Sequence, residues 1–119
     1  MNFPPKHILL VEDEASVRSA LRFMLRTDEH TVEEAANGAQ ALDLLSKHRF
    51  DLVMTDFAMP GMNGAELAVK IKQLVPGQPI LIITGYRKAP GDFQSYVDAI
   101  LLKPFSLEEL RQTLLKLFN

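Results

Sequence analysis

The chain has 119 residues, of which 47% are hydrophobic and 24% charged, with a formal net charge of −2 and no cysteine. This length suits a single domain over residues 1–119 with one sizeable core. The near-neutral balance gives no reason to expect nucleic acid or an anionic membrane surface as a direct partner, and the lack of cysteine excludes disulfides and thiolate metal sites.

Met1 to Lys6 carries no apolar stretch of the signal-peptide kind. No apolar run approaches the roughly 18 residues needed to cross a bilayer, so a cytoplasmic protein is the expectation. Short apolar runs alternate with longer amphipathic stretches. HILLVE (7–12) is the first run, and Val17, Leu21, Met24 and Leu25 follow at helical spacing. TVEEA (31–35) is more polar, as an edge strand would be. Asn37-Gly38 then marks a turn before a helix with the stripe Ala41, Leu42 and Leu45. LVMT (52–55) is a third strand, followed by a helix with Leu67, Ile71, Leu74 and Val75 on one face. Pro76-Gly77 precedes the strand ILIIT (80–84), and AILLK (99–103) is a fifth. Ser106, three residues before Glu109, reads as a capping box opening a last helix with Leu107, Leu110, Leu114 and Leu117. Continuous apolar runs are what strands covered on both faces look like. Strand and helix in alternation predict an α/β fold: an open, doubly wound parallel sheet with right-handed crossovers.

In such sheets functional residues gather at the carboxyl ends of the strands. Those ends carry Glu12-Asp13, Asp56, Thr84 and Lys103. Each has a plain structural explanation by itself. Asp13 could cap the first helix, Thr84 could be an ordinary strand residue, and Lys103 a solvated surface lysine. Together they are harder to dismiss. Clustered carboxylates repel, and each resists ionising unless a cation joins them. A hard divalent ion with oxygen ligands, Mg²⁺, suits such a set. A carboxylate beside Mg²⁺ can act as a nucleophile and form an aspartyl phosphate. Lys103, the Thr84 hydroxyl and the metal would meet the charge on the phosphoryl group, and Gly85 would keep the approach open. His7, His30 and His48 are scattered without ligand spacing and receive no site.

ILLVEDE, DLVMTDFAMPGMNG, ILIITG and LLKPF, in this order, resemble the receiver domain of two-component response regulators, from about residue 6 to 118. The resemblance implies a flavodoxin-like sheet of order 2-1-3-4-5. It implies that Asp56 accepts a phosphoryl group from a histidine kinase or a histidine phosphotransfer protein. Asp13, Asp56 and the backbone carbonyl of Ala58 would ligate Mg²⁺, with Glu12 acting through water. Lys103 would pair with the phosphoryl oxygens and Thr84 would move to hydrogen-bond them. The Lys103–Pro104 bond is cis in many relatives. A homodimer is a possible assembly.

The chain departs from the usual pattern in four places. Glu12 stands where aspartate is common, and Ile100 where an aromatic usually reports phosphorylation. The stretch from Thr84 to Lys103 is about one helical turn short, and it contains Pro90-Gly91. Proline disfavours helix in the residue before it, so a loop through Gly91 and a short helix capped by Asp92 are expected in place of a full fourth helix. Ala58 and Tyr86, which would flank the path of a hydrolytic water, offer no carboxylate or amide, and a long-lived phosphoryl state follows as an expectation. An enzyme of the haloacid dehalogenase type needs a second acid two residues after its nucleophile, and that position is Ala58. A signalling module, not a turnover enzyme, is therefore expected. A degenerate receiver that only binds a partner is the alternative.

Overall fold

The computed structural model describes residues 3–85 and 94–118. Strands β1 (His7–Val11), β2 (Thr31–Ala35), β3 (Leu52–Asp56), β4 (Ile80–Thr84) and β5 (Ala99–Leu102) form one parallel sheet in the order β2-β1-β3-β4-β5. The helices are α1 (Ala15–Thr27), α2 (Gly38–Lys47), α3 (Gly64–Leu74) and α4 (Leu107–Phe118). The strand order agrees with the expectation, and β2 is the polar edge.

Alternation within each strand explains why the runs are apolar throughout. Ile8, Leu10, Leu52, Met54, Leu81 and Ile83 pack with α1 and α4 through Leu21, Leu25, Leu110 and Leu114. Leu9, Val11, Val53, Ile80 and Ile82 point to the other face and pack with Ala41 and Leu45 of α2 and Leu67, Ala68 and Ile71 of α3. A strand feeding two cores is apolar over most of its length, and the buried polar residues Thr55, Asp56 and Thr84 stand only toward the carboxyl ends of β3 and β4. Truncating one such Leu or Ile to Ala costs about 2–5 kcal/mol.

Two local expectations need correction or restriction. Leu74 was expected on the buried stripe of α3 but is 49% exposed. The buried stripe runs Gly64, Leu67, Ala68 and Ile71 instead, so Ala68 takes the place and Leu74, the last helical residue, is left off the sheet. The loop expected through Gly91, the cap at Asp92 and the side chain of Tyr86 lie outside the described residues. What is described of the crossover into β5 is a single 3₁₀ turn, Gln94–Tyr96. Ile100 is 38% exposed, on the face of β5 opposite the buried Leu101.

Order reverses between β1 and β3: the chain goes from β1 out to β2, then returns to β3 on the other side. Crevices at the carboxyl ends of such a pair are where ligands sit in open α/β sheets.

Candidate functional site

Glu12 and Asp13 follow β1 directly, and Asp56 ends β3, so the switch point brings three carboxylates together. Ligand oxygens of Glu12, Asp13 and Asp56 all lie within 4.8 Å of one another. Glu12 and Asp56 are buried, Glu12 almost completely. Lys103, carried just past β5, reaches in from the side, with its Nζ 3.1 Å from Asp56 Oδ1. Thr84 ends β4 and is buried, next to the exposed Gly85. The five residues read at the strand ends, Glu12, Asp13, Asp56, Thr84 and Lys103, therefore lie along one edge of the sheet. The cap explanation for Asp13 fails, because the residue at the start of α1 is Glu14, and its side chain makes no capping bond. The Lys103–Pro104 peptide is cis.

The turn after Asp56 answers to packing. Gly61 takes a positive φ of 75°, which favours glycine. Asn63 caps α3 through a reciprocal pair with Glu66, its Oδ1 accepting from the Glu66 amide at 2.8 Å and its own amide donating to Glu66 Oε1 at 3.1 Å. This capping box has the local signature Asn63-x-x-Glu66. At Gly64 a Cβ would stand 2.5 Å from the Asp56 carbonyl oxygen and 2.9 Å from Phe57 Cα. The helix thus starts pressed against the backbone that carries Asp56. Gly85 differs: among the described residues, a Cβ there would meet nothing within 4 Å.

The acid cluster is electrostatically unfinished. Glu12 Oε2 accepts from the Glu14 amide at 3.2 Å, but Glu12 Oε1 is buried and has no hydrogen-bond partner among the described residues. Burial, opposed by the Glu14 amide and reinforced by Asp13 and Asp56, pushes the Glu12 carboxyl up to about 7. A buried orphan oxygen, three converging carboxylates and an acid held back from ionising are what a hard divalent cation would relieve. The residues present fit Mg²⁺.

The pH dependence follows in sign. In the folded metal-free protein Glu12 keeps a proton that the unfolded chain releases above about 4.5. Stability is therefore lost as pH rises from there through about 7. A divalent cation favours the ionised form, so its binding displaces that proton. Thermal melts without metal should fall between about pH 5 and pH 8, added Mg²⁺ should offset the fall, and Mg²⁺ affinity should rise over the same range. In Glu12→Gln both trends should flatten. A wild-type affinity independent of pH would contradict this assignment.

Among the described residues, no helix is long and apolar enough to cross a membrane. Residues 8–115 match the family model described as "Response regulator receiver domain". The chain is 33% identical over 112 residues to Sporulation initiation phosphotransferase F of Bacillus subtilis, covering 92% of this chain and 90% of that protein. It is 32% identical over 117 residues to Transcriptional regulatory protein GlrR of Escherichia coli, covering 96% of this chain but 26% of the relative. It is 36% identical over 109 residues to Response regulator MprA of a Mycobacterium species, covering 89% of this chain and 47% of the relative. The chain thus spans a quarter to a half of the length of these two regulators. Among solved structures, response regulator protein TrrA from Thermotoga maritima, in complex with Mg²⁺–BeF, superposes with a TM-score of 0.87 at 32% identity, over 95% of this chain and 99% of that one. Chemotaxis protein CheY4 of Vibrio cholerae gives 0.86 at 31% identity, over 95% of this chain and 98% of that one.

Proposed function

The chain belongs to the response regulator receiver domain family, a signalling module of two-component systems, and from that premise we propose that Asp56 is its phosphoacceptor. The observation that carries this assignment is the Asp56 carboxylate, buried at the switch point between two further acids, with the Lys103 ammonium 3.1 Å away.

Asp13, Asp56 and the carbonyl of Ala58 would hold Mg²⁺, with Glu12 acting through water. When bound, the ion would neutralise the acids and polarise the incoming phosphoryl group. One Asp56 oxygen attacks phosphorus. With a phosphohistidine donor an O–P bond forms, the P–N bond breaks, and the departing imidazole keeps the electron pair and takes up a proton. Lys103 meets the negative charge that arrives with the phosphoryl oxygens, and the Thr84 hydroxyl supplies a hydrogen bond to them. The likeness to TrrA, solved with Mg²⁺–BeF, supports the metal assignment. No substrate turns over beyond this phosphorylation and its reversal. Acetyl phosphate with Mg²⁺ should yield an acid-resistant, base-labile phosphoprotein, and chelating the metal should prevent it. Sustained phosphatase turnover, or no labelling at all, would reject this reading.

A phosphohistidine-bearing protein, a histidine kinase or a phosphotransfer protein, needs a surface beside Asp56 on which to dock. A groove of about 450 Å³ between α1 and the turn from β5 to α4 is lined by Val17, Ala20, Leu21, Met24 and Phe105 and reaches Lys103 itself. Ala20 is exposed, so Ala20→Glu should leave the fold intact while placing a charge in the groove. Transfer from the cognate donor should drop at least about tenfold, since desolvating an unpaired charge in an interface costs more than 1.4 kcal/mol. Labelling by acetyl phosphate should be unchanged. Equal transfer rates in variant and wild type would remove the groove from the docking surface.

A further inference from the structure

We propose that Arg18 is a positioning residue for the acid pair: it clamps the turn that carries Glu12 and Asp13 to strand β2. The inference rests on the metal-site reading above.

Arg18 lies in the first turns of α1, and its side chain runs back over the end of β1. Its Nη1 donates to the backbone carbonyl of Glu12 at 2.7 Å. Its Nε stands 3.3 Å from Glu34 Oε1. Glu34 is itself fixed from the other side, since Arg22 Nη1 donates to Glu34 Oε2 at 2.8 Å. Glu34 belongs to β2, paired in register with Leu10 of β1. The Glu12 amide donates to the Ala35 carbonyl, the next residue of β2, at 3.0 Å. The peptide groups on both sides of Glu12 are therefore tied to the edge strand, one directly and one through Arg18. Three acids whose oxygens lie within 4.8 Å of one another repel, and the short turn between β1 and α1 is the part free to give. A clamp there keeps the acids converged in the absence of a cation. The guanidinium does this from the carbonyl and leaves the carboxylates of Glu12 and Asp13 free for other partners.

The geometry separates this role from two simpler ones. A cation that was only a neighbour would oppose a divalent ion, so removing it would tighten Mg²⁺ binding. A purely structural residue would change the melting temperature but not metal affinity measured well below it. A clamp that orients ligands predicts weaker binding, by about tenfold, the lower end of what losing an orienting partner costs a metal site.

The test is Mg²⁺ titration by calorimetry of wild type, Asp13→Ala, Arg18→Met and Arg18→Lys, with amide hydrogen exchange at Asp13 and Glu14 in the metal-free proteins. Methionine keeps most of the packing of the stem. Lysine keeps the charge but not the fork that spans Glu12 and Glu34. Weaker Mg²⁺ binding in both Arg18 variants, with faster exchange at the turn, supports the clamp. Tighter or unchanged binding in Arg18→Met, or a lysine variant equal to wild type, overturns it. If Asp13→Ala binds Mg²⁺ as wild type does, the metal-site reading itself fails and the clamp fails with it. That result is distinguishable, because a failing clamp alone leaves the Asp13 effect in place.

Discussion

Asp56→Asn should abolish covalent phosphorylation while leaving the fold intact. The amide has nearly the volume of the carboxylate but lacks the nucleophilic oxygen anion, so no acyl phosphate forms. The variant should be no less stable than wild type in metal-free buffer. It removes one of three mutually repelling acids, and the ion pair it loses, to Lys103 Nζ at 3.1 Å, involves a lysine that remains partly exposed and screened. Phosphate incorporation from acetyl phosphate, followed by intact-protein mass spectrometry, and a thermal melt check both parts. Labelling at the wild-type level would assign the phosphoryl group to another residue. A collapsed melt would show that Asp56 is needed for folding and not only for chemistry.

Gly64→Ala should destabilise the protein and slow phosphorylation together, although alanine is ordinarily the better helix residue by about 1 kcal/mol. The new Cβ would stand 2.5 Å from the Asp56 carbonyl oxygen and 2.9 Å from Phe57 Cα. Both atoms are backbone and cannot rotate away. Either α3 moves off the sheet, stretching the 2.8 Å bond from the Gly64 amide to the Phe57 carbonyl, or the end of β3 shifts and takes Asp56 with it. Overpacking of this kind costs about 1–3 kcal/mol. Displacing a reacting group by about 1 Å can cost a hundredfold in rate. Gly77→Ala is the control, since a Cβ there meets nothing within 4 Å among the described residues, and it should change neither quantity. Denaturant melts and initial rates with acetyl phosphate decide the matter. A more stable Gly64→Ala variant with wild-type rates would mean that the contact relaxes freely.

How much of this was legible follows from what each residue depends on. The strands were readable because two-sided burial leaves an unbroken apolar run, as in Ile80–Thr84, where all five residues are buried. The site was readable for a related reason. In a doubly wound sheet the carboxyl ends of the strands converge, so the polar residues that terminate apolar runs are brought together by topology alone. Residues whose roles depend on tertiary partners were not readable. Arg18 reaches Glu34 across the space between a helix and a strand, which no spacing reveals. His30 sits in a polar stretch, Asp28-Glu29-His30-Thr31, yet it is buried. Its Nδ1 accepts from the Lys6 amide at 2.9 Å and its ring stacks on Phe3. Burial and the nearby Lys6 hold its pKa below the ordinary histidine value, against the pull of Asp28. Leu74 fitted the helical period and failed only because α3 ends there. Ser106 shows the opposite case. Its cap is purely local, and the reciprocal bonds with Glu109, both at 3.1 Å, are those its spacing predicts.

The location of the phosphoryl group decides whether Asp56 is the phosphoacceptor. Wild-type protein treated with acetyl phosphate and Mg²⁺, then reduced with borohydride to trap any acyl phosphate and digested for tandem mass spectrometry, should carry the modification at Asp56 and nowhere else. A modification at another residue, or none above the Mg²⁺-free control, would contradict the assignment of Asp56 as the phosphoacceptor.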